Sequence, residues 1–417
     1  MKHTVWKRIL CGPSVFVVLA AALAAAPARG AGFGISEQSA SATGRACAVT
    51  AVADTPSAIY YNPAGLGMQK GLGIEAGVTL IVPLGSHEDP ATGLVTDSET
   101  GLFYPPSTYI SYRLPERIAF GLGFFVPYGL GITWPEGWTG FEEVESIELQ
   151  AYFINPTVAW SPLEWLSVGA GVDIVRSIVD LRKGINFIDE HGSLHAGASA
   201  WGFGGNAGLL IRLLGGRLSF GLGYRSGVRF EFTGNADFTV PAAFALLLED
   251  QPIETDLTLP HVLSMGIAGK PVSMLTLSAD LIVTTWSVFK EFGLNFPGDM
   301  VKPESEKLSQ VEPRNWRNTW ALRFGAEVRP PLKWLVVRAG LAYDRNPSPS
   351  TTLSPTLPDA DRIEAAFGAG FLIPKGFNAD IAYMYIHFLE RSSSGEAFPA
   401  TYRCSAHLVG LTLGYRY

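Results

Sequence analysis

Residues 216–232, GRLSFGLGYRSGVRFEF, alternate along almost their whole length. Leu218, Phe220, Leu222, Tyr224, Val228, Phe230 and Phe232 take even positions, and Arg217, Ser219, Gly221, Gly223, Arg225, Gly227, Arg229 and Glu231 take odd ones. Successive side chains of a strand point to opposite faces, so the segment predicts a strand with one apolar face and one face of glycine and charge. The same pattern, bounded by turn residues, predicts strands near 70–84, 104–114, 116–128, 145–160, 165–183, 199–214, 216–233, 257–269, 273–286, 317–329, 333–345, 362–374, 376–389 and 403–417. Six connections are tight, at LPE 114, SPLE 161, LGG 214, KPVS 270, RPPLK 329 and IPKG 373, and they alternate with seven long ones. Fourteen strands with short turns at one rim and long loops at the other predict an all-β protein, a fourteen-stranded antiparallel transmembrane β-barrel with both termini on the periplasmic side. On this reading the even positions of 216–232 meet lipid and the odd ones face the lumen. Several strands exceed the roughly 9–11 residues of a tilted crossing, so the wall is expected to rise beyond the outer leaflet.

Composition agrees with strands rather than membrane helices. The 417 residues are 47% hydrophobic with 46 glycines, yet beyond the N-terminus no run of roughly 18 apolar residues occurs, because a barrel strand gives lipid only alternate positions. The formal net charge of -7 is scattered and offers nothing to a nucleic acid. The start MKHTVWKRIL, the apolar VFVVLAAALAAA and the small residues APARGAG read as a secretory signal peptide over 1–30. Of the mature cysteines, Cys47 and Cys404 either pair in an oxidising envelope or stay as separate thiols, and spacing alone does not choose.

Residues 31–69 do not fit the wall. Their Ala- and Ser-rich sequence suits short helices joined by turns ahead of the first strand. They predict a small helical hatch plugging the lumen of the barrel formed by 70–417; a free periplasmic extension is the other reading.

The segment AGFGISEQSASATGRACAVTAVADTPSAIYYNPAGL is similar to the hatch of the outer-membrane long-chain fatty acid transporters (FadL), a family that includes channels for aromatic hydrocarbons. WGFGGNAGLL at 201, GLGYRS at 221, WRNTWALRFGAEVR at 316, RAGLAYDRNPSP at 338 and LPDADR at 357 match in order along nearly the whole mature chain. The resemblance implies a fourteen-stranded barrel, a hydrophobic groove among the outer loops, an internal pocket, and a kink in the third strand that opens the wall sideways.

Candidate residues follow. Asn62, Pro63 and Ala64 of NPAG are expected to fix the hatch, since Asn before Pro favours turn hydrogen bonds. In GFFVPYGLG, Pro127 lacks an N–H, so pairing should fail around Val126, Pro127 and Gly129; alternatively Pro127 ends the strand. Phe244 and Leu247, in the apolar VPAAFALLLEDQ, are expected on a short loop helix that receives a hydrophobic ligand or packs on another loop. Strand parity carries Arg317 into the lumen with Arg323, Glu327 and Arg329, and the resemblance gives Arg317 the role of binding a substrate carboxylate; membership of a lumenal salt network is the alternative. The family's second basic residue has no clear counterpart, because Arg176, the nearest, points outward by parity.

No GxSxG or metal-ligand spacing is present, so no enzyme activity and no cofactor are expected. The expected function is passive transport of long-chain fatty acids or related hydrocarbons by a monomer set in lipid and lipopolysaccharide of a Gram-negative outer membrane. A diffusion porin for polar solutes and a structural barrel are the rival readings.

Overall fold

The computed structural model describes residues 32–417 except 188–189, 243, 246–247, 299–307 and 396–397. The expected signal peptide therefore lies outside the described residues. The chain forms a closed antiparallel barrel of fourteen strands. They are β1 (Gly71–Glu88), β2 (Pro106–Arg113), β3 (Ile118–Thr133), β4 (Ser146–Leu163), β5 (Leu166–Asn186), β6 (His191–Leu213), β7 (Leu218–Arg225 and Val228–Thr239), β8 (Gln251–Leu259 and Val262–Val272), β9 (Leu275–Thr284), β10 (Thr319–Val328), β11 (Leu335–Asp344), β12 (Arg362–Ile373), β13 (Phe377–Phe388) and β14 (Thr401–Arg416). Closure runs from Gly73 opposite Arg416 to Glu88 opposite Thr401. Strands β5 and β6 reach 21 and 23 residues, well past one tilted crossing of the bilayer.

Segment 32–69 lies inside. It holds two short helices, α1 (Ala40–Thr43) and α2 (Ala58–Tyr61), and a 3-10 turn at Pro63–Met68. The lumenal glycines explain the opening alternation, because the hatch backbone rests directly on them. A Cβ on Gly221 would strike Thr50 O, one on Gly169 the Pro63 carbonyl, and one on Gly340 the backbone of Arg45. Polar side chains of the wall then satisfy the buried hatch backbone. Asp280 accepts from Thr50 N at 2.8 Å, Thr412 from Ala40 N at 3.0 Å and Glu75 from Ser57 N at 3.0 Å, while Ser167 donates to Ala64 O at 2.6 Å. Arg45 of the hatch meets Glu327 of β10 at 3.5 Å, and Arg338 bridges Glu327 (2.9 Å) and Asp380 (2.5 Å).

One parity expectation fails halfway along β7. Phe220, Leu222 and Tyr224 face outward, but Val228, Phe230 and Phe232 are buried in the core while Arg229 and Glu231 are exposed. The strand breaks at Ser226–Gly227, where Ser226 Oγ accepts from Gly205 N at 2.9 Å. Register against β6 slips there by one residue, from Arg225 opposite Asn206 to Thr233 opposite Ser199. A single extra residue turns every later side chain to the other face. Cys47 and Cys404 are both free thiols, Cys47 buried in the hatch.

Candidate functional site

Strand β3 carries the irregularity that positions the site. Its ladder to β2 ends with Thr108 opposite Phe124. Its pairing to β4 shifts by one residue between Phe125 (opposite Phe153) and Tyr128 (opposite Ala151), which places Val126 and Pro127 in a bulge. The strand continues to Thr133, so Pro127 does not end it. Past Phe124 the edge that faced β2 is taken by the hatch: Ile35 N donates to Pro127 O (2.8 Å), and Gly129 N to Phe33 O (3.1 Å). The Gln38 side chain accepts from Val126 N (3.3 Å) and donates to Val126 O (2.9 Å). Gly129 leaves room for Ile35, since a Cβ there would sit 2.9 Å from Ile35 Cδ1.

Beside the bulge lies a cavity of about 110 Å³ whose lining includes Ile35, Tyr60, Pro127, Tyr128, Arg225 and Arg323. Arg225 is buried, ion-paired with Asp173, and stacks over Phe125 at 5.2 Å. Arg323 donates to Ala46 O (3.1 Å), Glu364 (3.2 Å), Ser36 Oγ (3.2 Å) and Asp344 (3.3 Å). Each guanidinium thus already has carboxylate partners. Glu37 lies buried in the hatch near this cluster; burial first, then the charge of Glu364, push its carboxyl up to about 7 against the pull of Arg323.

Toward the long loops, Phe33 joins an aromatic cluster next to this cavity. Its ring meets Trp286 at 4.8 Å, Trp316 and Phe289 at 5.9 Å, and Tyr128 at 6.1 Å. Beyond Phe33 lies a second, mainly apolar cavity of about 40 Å³, lined by residues such as Leu130, Ile147, Leu149, Val179, Leu257 and Phe289. The aromatic cluster of Phe33, Trp286, Phe289 and Trp316 therefore lies where the two cavities adjoin.

The expected residues are distributed unevenly about this arrangement. Val126 and Pro127 form the bulge and Gly129 follows it. Asn62 is fully buried: its Oδ1 accepts from Ala64 N (3.2 Å), and its Nδ2 donates to Thr50 O (2.8 Å) and to Leu209 O on β6 (3.1 Å). Pro63 opens the 3-10 turn and also lines the lower cavity. Arg317 is a correction. It is exposed, precedes β10 and lines neither cavity; its backbone N–H donates to Pro347 O at 3.0 Å. β10 begins only at Thr319 and residues 314–318 are irregular, so strand parity does not extend back to Arg317. Arg323 and Glu327 do face inward. Arg176 points outward as its parity requires, donating to Ser199 Oγ (2.6 Å) beside Trp201. Phe244 lies in a turn, half exposed, against Phe187 at 4.5 Å, and Leu247 is outside the described residues.

Sequence reasoning missed Gln38, Arg225 and Trp286. The available signal for Arg225 was a cation on the glycine face of β7; Gln38 and Trp286 offered none.

The description "Outer membrane protein transport protein (OMPP1/FadL/TodX)" belongs to the family model that matches residues 21–417. This chain is a member of the OMPP1/FadL/TodX family. FadL-family membership and the closed barrel together place it in the outer membrane of a Gram-negative cell. Outer membrane protein P1 of Haemophilus influenzae is 26% identical over 314 residues, 65% of this chain and 66% of that protein. A long-chain fatty acid transport protein of Salmonella typhi is 26% identical over 203 residues, 46% of this chain and 44% of the relative. The chain spans about half the length of the curated relatives it matches first. Among solved structures, a Pseudomonas aeruginosa FadL homologue superposes with a TM-score of 0.83 at 20% identity, covering 92% of this chain and 99% of that one. The CymD monoaromatic hydrocarbon channel gives 0.67 at 20% identity over 91% and 97%. At these identities the superpositions establish the fold of this FadL-family chain.

Proposed function

We propose that this protein passes hydrophobic compounds across the outer membrane without energy coupling. Substrate is captured among the outer loops, enters the apolar upper cavity, passes Phe33 as the hatch shifts, and leaves sideways into the membrane through the gap at β3. The observation that carries this reading is the alignment of two cavities with the bulge at Val126–Pro127, the one place where hatch residues replace a strand along the described β3 edge. A sideways exit needs such a break, because a regular ladder seals lumen from lipid.

The charge distribution selects among substrates. Both guanidiniums of the lower cavity are bonded to carboxylates, so a substrate carboxylate would have to displace a buried ion pair, at the cost of leaving the displaced acid unpaired. Neutral hydrocarbons enter without that exchange, and the proposed substrates are neutral, with long-chain fatty acids the poorer class. A polar-solute porin would require an open aqueous lumen, whereas here the hatch backbone lies directly on the wall.

Uptake of a labelled neutral aromatic compound and of a labelled fatty acid into cells carrying only this channel tests the proposal, alongside conductance in planar bilayers. The expected result is faster uptake of the neutral compound with near-silent bilayers. Large steady conductance to salts would instead establish a porin.

A further inference from the structure

The lateral route says where substrate leaves, not what holds the opening in register with the plug. We propose that Gln38 is the positioning residue that sets this register. Its side-chain amide replaces the β2 partner that Val126 lacks beyond the end of the β2–β3 ladder, and so ties the hatch to both lips of the wall gap. The assignment rests on the proposed exit at β3.

The β2–β3 ladder ends at Phe124, so the backbone N–H and C=O of Val126 have no β2 partner. Val126 is buried at 4% exposure, and a buried backbone group must find a partner inside the protein. A primary amide offers a donor and an acceptor in one plane, so a single Gln can answer both backbone groups of one residue. Gln38 does this, accepting from Val126 N at 3.3 Å and donating to Val126 O at 2.9 Å. The same Nε2 donates to Ile35 O at 3.0 Å, which fixes the segment that pairs with Pro127 and Gly129.

The backbone of Gln38 is held as tightly. Its N–H donates to the Tyr61 hydroxyl of α2 at 3.1 Å, and its carbonyl accepts from Tyr109 of β2 at 3.2 Å. Tyr109 stands opposite Gly123, one pair below the point where the β2–β3 ladder ends. Gln38 therefore sits at the apex of the gap, bonded to β2 through Tyr109 and to β3 through Val126, and is itself only 2% exposed. Withdrawing the hatch segment breaks these bonds together, so hatch release and gap opening are one event.

The test uses the full-length protein inserted in membranes. Gln38→Met keeps the length and removes both bonds; Gln38→Glu keeps the acceptor for Val126 N–H and loses the donor. Amide hydrogen exchange at Val126, read at one pH, should rise about tenfold or more in the Met variant and by less in the Glu variant. Uptake should change in the same order. The Glu variant is the control for bulk and burial, since a merely space-filling Gln would be replaced better by Met than by a buried acid. Val126 exchange unchanged in both inserted variants would overturn the assignment whatever uptake does. Exchange that responds while uptake stays at the wild-type level would support the tie between hatch and wall and overturn the exit at β3 instead, so the two failures are distinguishable.

Discussion

Strands β5 and β3 belong to the same wall and face the same lipid, yet they behave oppositely. β5 pairs with β6 without a shift from Leu166 opposite Ile211 to Asn186 opposite His191, with small residues such as Ala196, Ala198 and Ala200 turned inward. β3 is as apolar, but Pro127 removes one donor, the register slips, and four backbone groups at and beyond the slip (Val126 N and O, Pro127 O and Gly129 N) are bonded by Phe33, Ile35 and Gln38 of the hatch. β7 offers a third case: its break at Ser226 is answered within the wall, Ser226 N donating to Gly205 O at 2.8 Å. In the proposed route, an irregular strand serves as an opening because its missing partner is supplied by the hatch instead of by the wall.

The contrast is broken most severely by making β3 resemble β5. Pro127→Val combined with Gly129→Thr restores a donor and places bulk where Ile35 now lies; uptake of a labelled hydrocarbon should fall by about tenfold or more while ligand still copurifies with the barrel. Next in size is Asn62→Ala, which removes the bonds to Thr50 O and Leu209 O. Two buried hydrogen bonds contribute about 1–3 kcal/mol to hatch seating, so hydrogen exchange over the hatch should rise by about fivefold or more while the barrel still inserts, as judged by its heat-modifiable mobility on gels.

Acidity should tune the same seating. Glu37 has its carboxyl raised from 4.5 to about 7 in the seated hatch, so the seated form holds a proton that the released form gives up. Its contribution is fully present below about 4.5 and is lost as pH rises through about 7. Hydrogen exchange over the hatch, corrected for intrinsic rate, should therefore increase between pH 5 and 8 in the wild type and increase less steeply in Glu37→Gln. The smallest effect is expected from Arg317→Ala, which should leave fatty acid uptake within about twofold, because the side chain is exposed and lines neither cavity. A large loss of fatty acid uptake would return Arg317 to the substrate path.

How far these features could be read in the chain depends on whether their cause was local. The wall was legible because alternation and turn residues are local, and the inner glycine face recorded the close approach of the hatch. Pro127 was legible for the same reason: a missing N–H is a property of one residue. Phe230 and Phe232 were misplaced because one inserted residue reverses parity while leaving composition untouched. Arg317 was misplaced because the regular strand starts only at Thr319, two residues after it. Gln38 could not be found, since its partner Val126 lies 88 residues away and nothing near either residue names the other.

Lateral exit at β3 requires that substrate cannot leave while the hatch occupies the gap. Gly34 and Tyr128 face each other in an isolated antiparallel bridge across that contact, and directly opposed residues of such a pair stand roughly 4.5–5.5 Å apart at Cα, within the range a disulfide spans. The decisive measurement is hydrocarbon uptake by Gly34→Cys with Tyr128→Cys, carried in a background with Cys47→Ser and Cys404→Ser, before and after reduction. The account predicts uptake blocked in the oxidised protein and restored on adding reductant. Equal uptake by the oxidised and reduced forms, with the crosslink verified by mass, would contradict it.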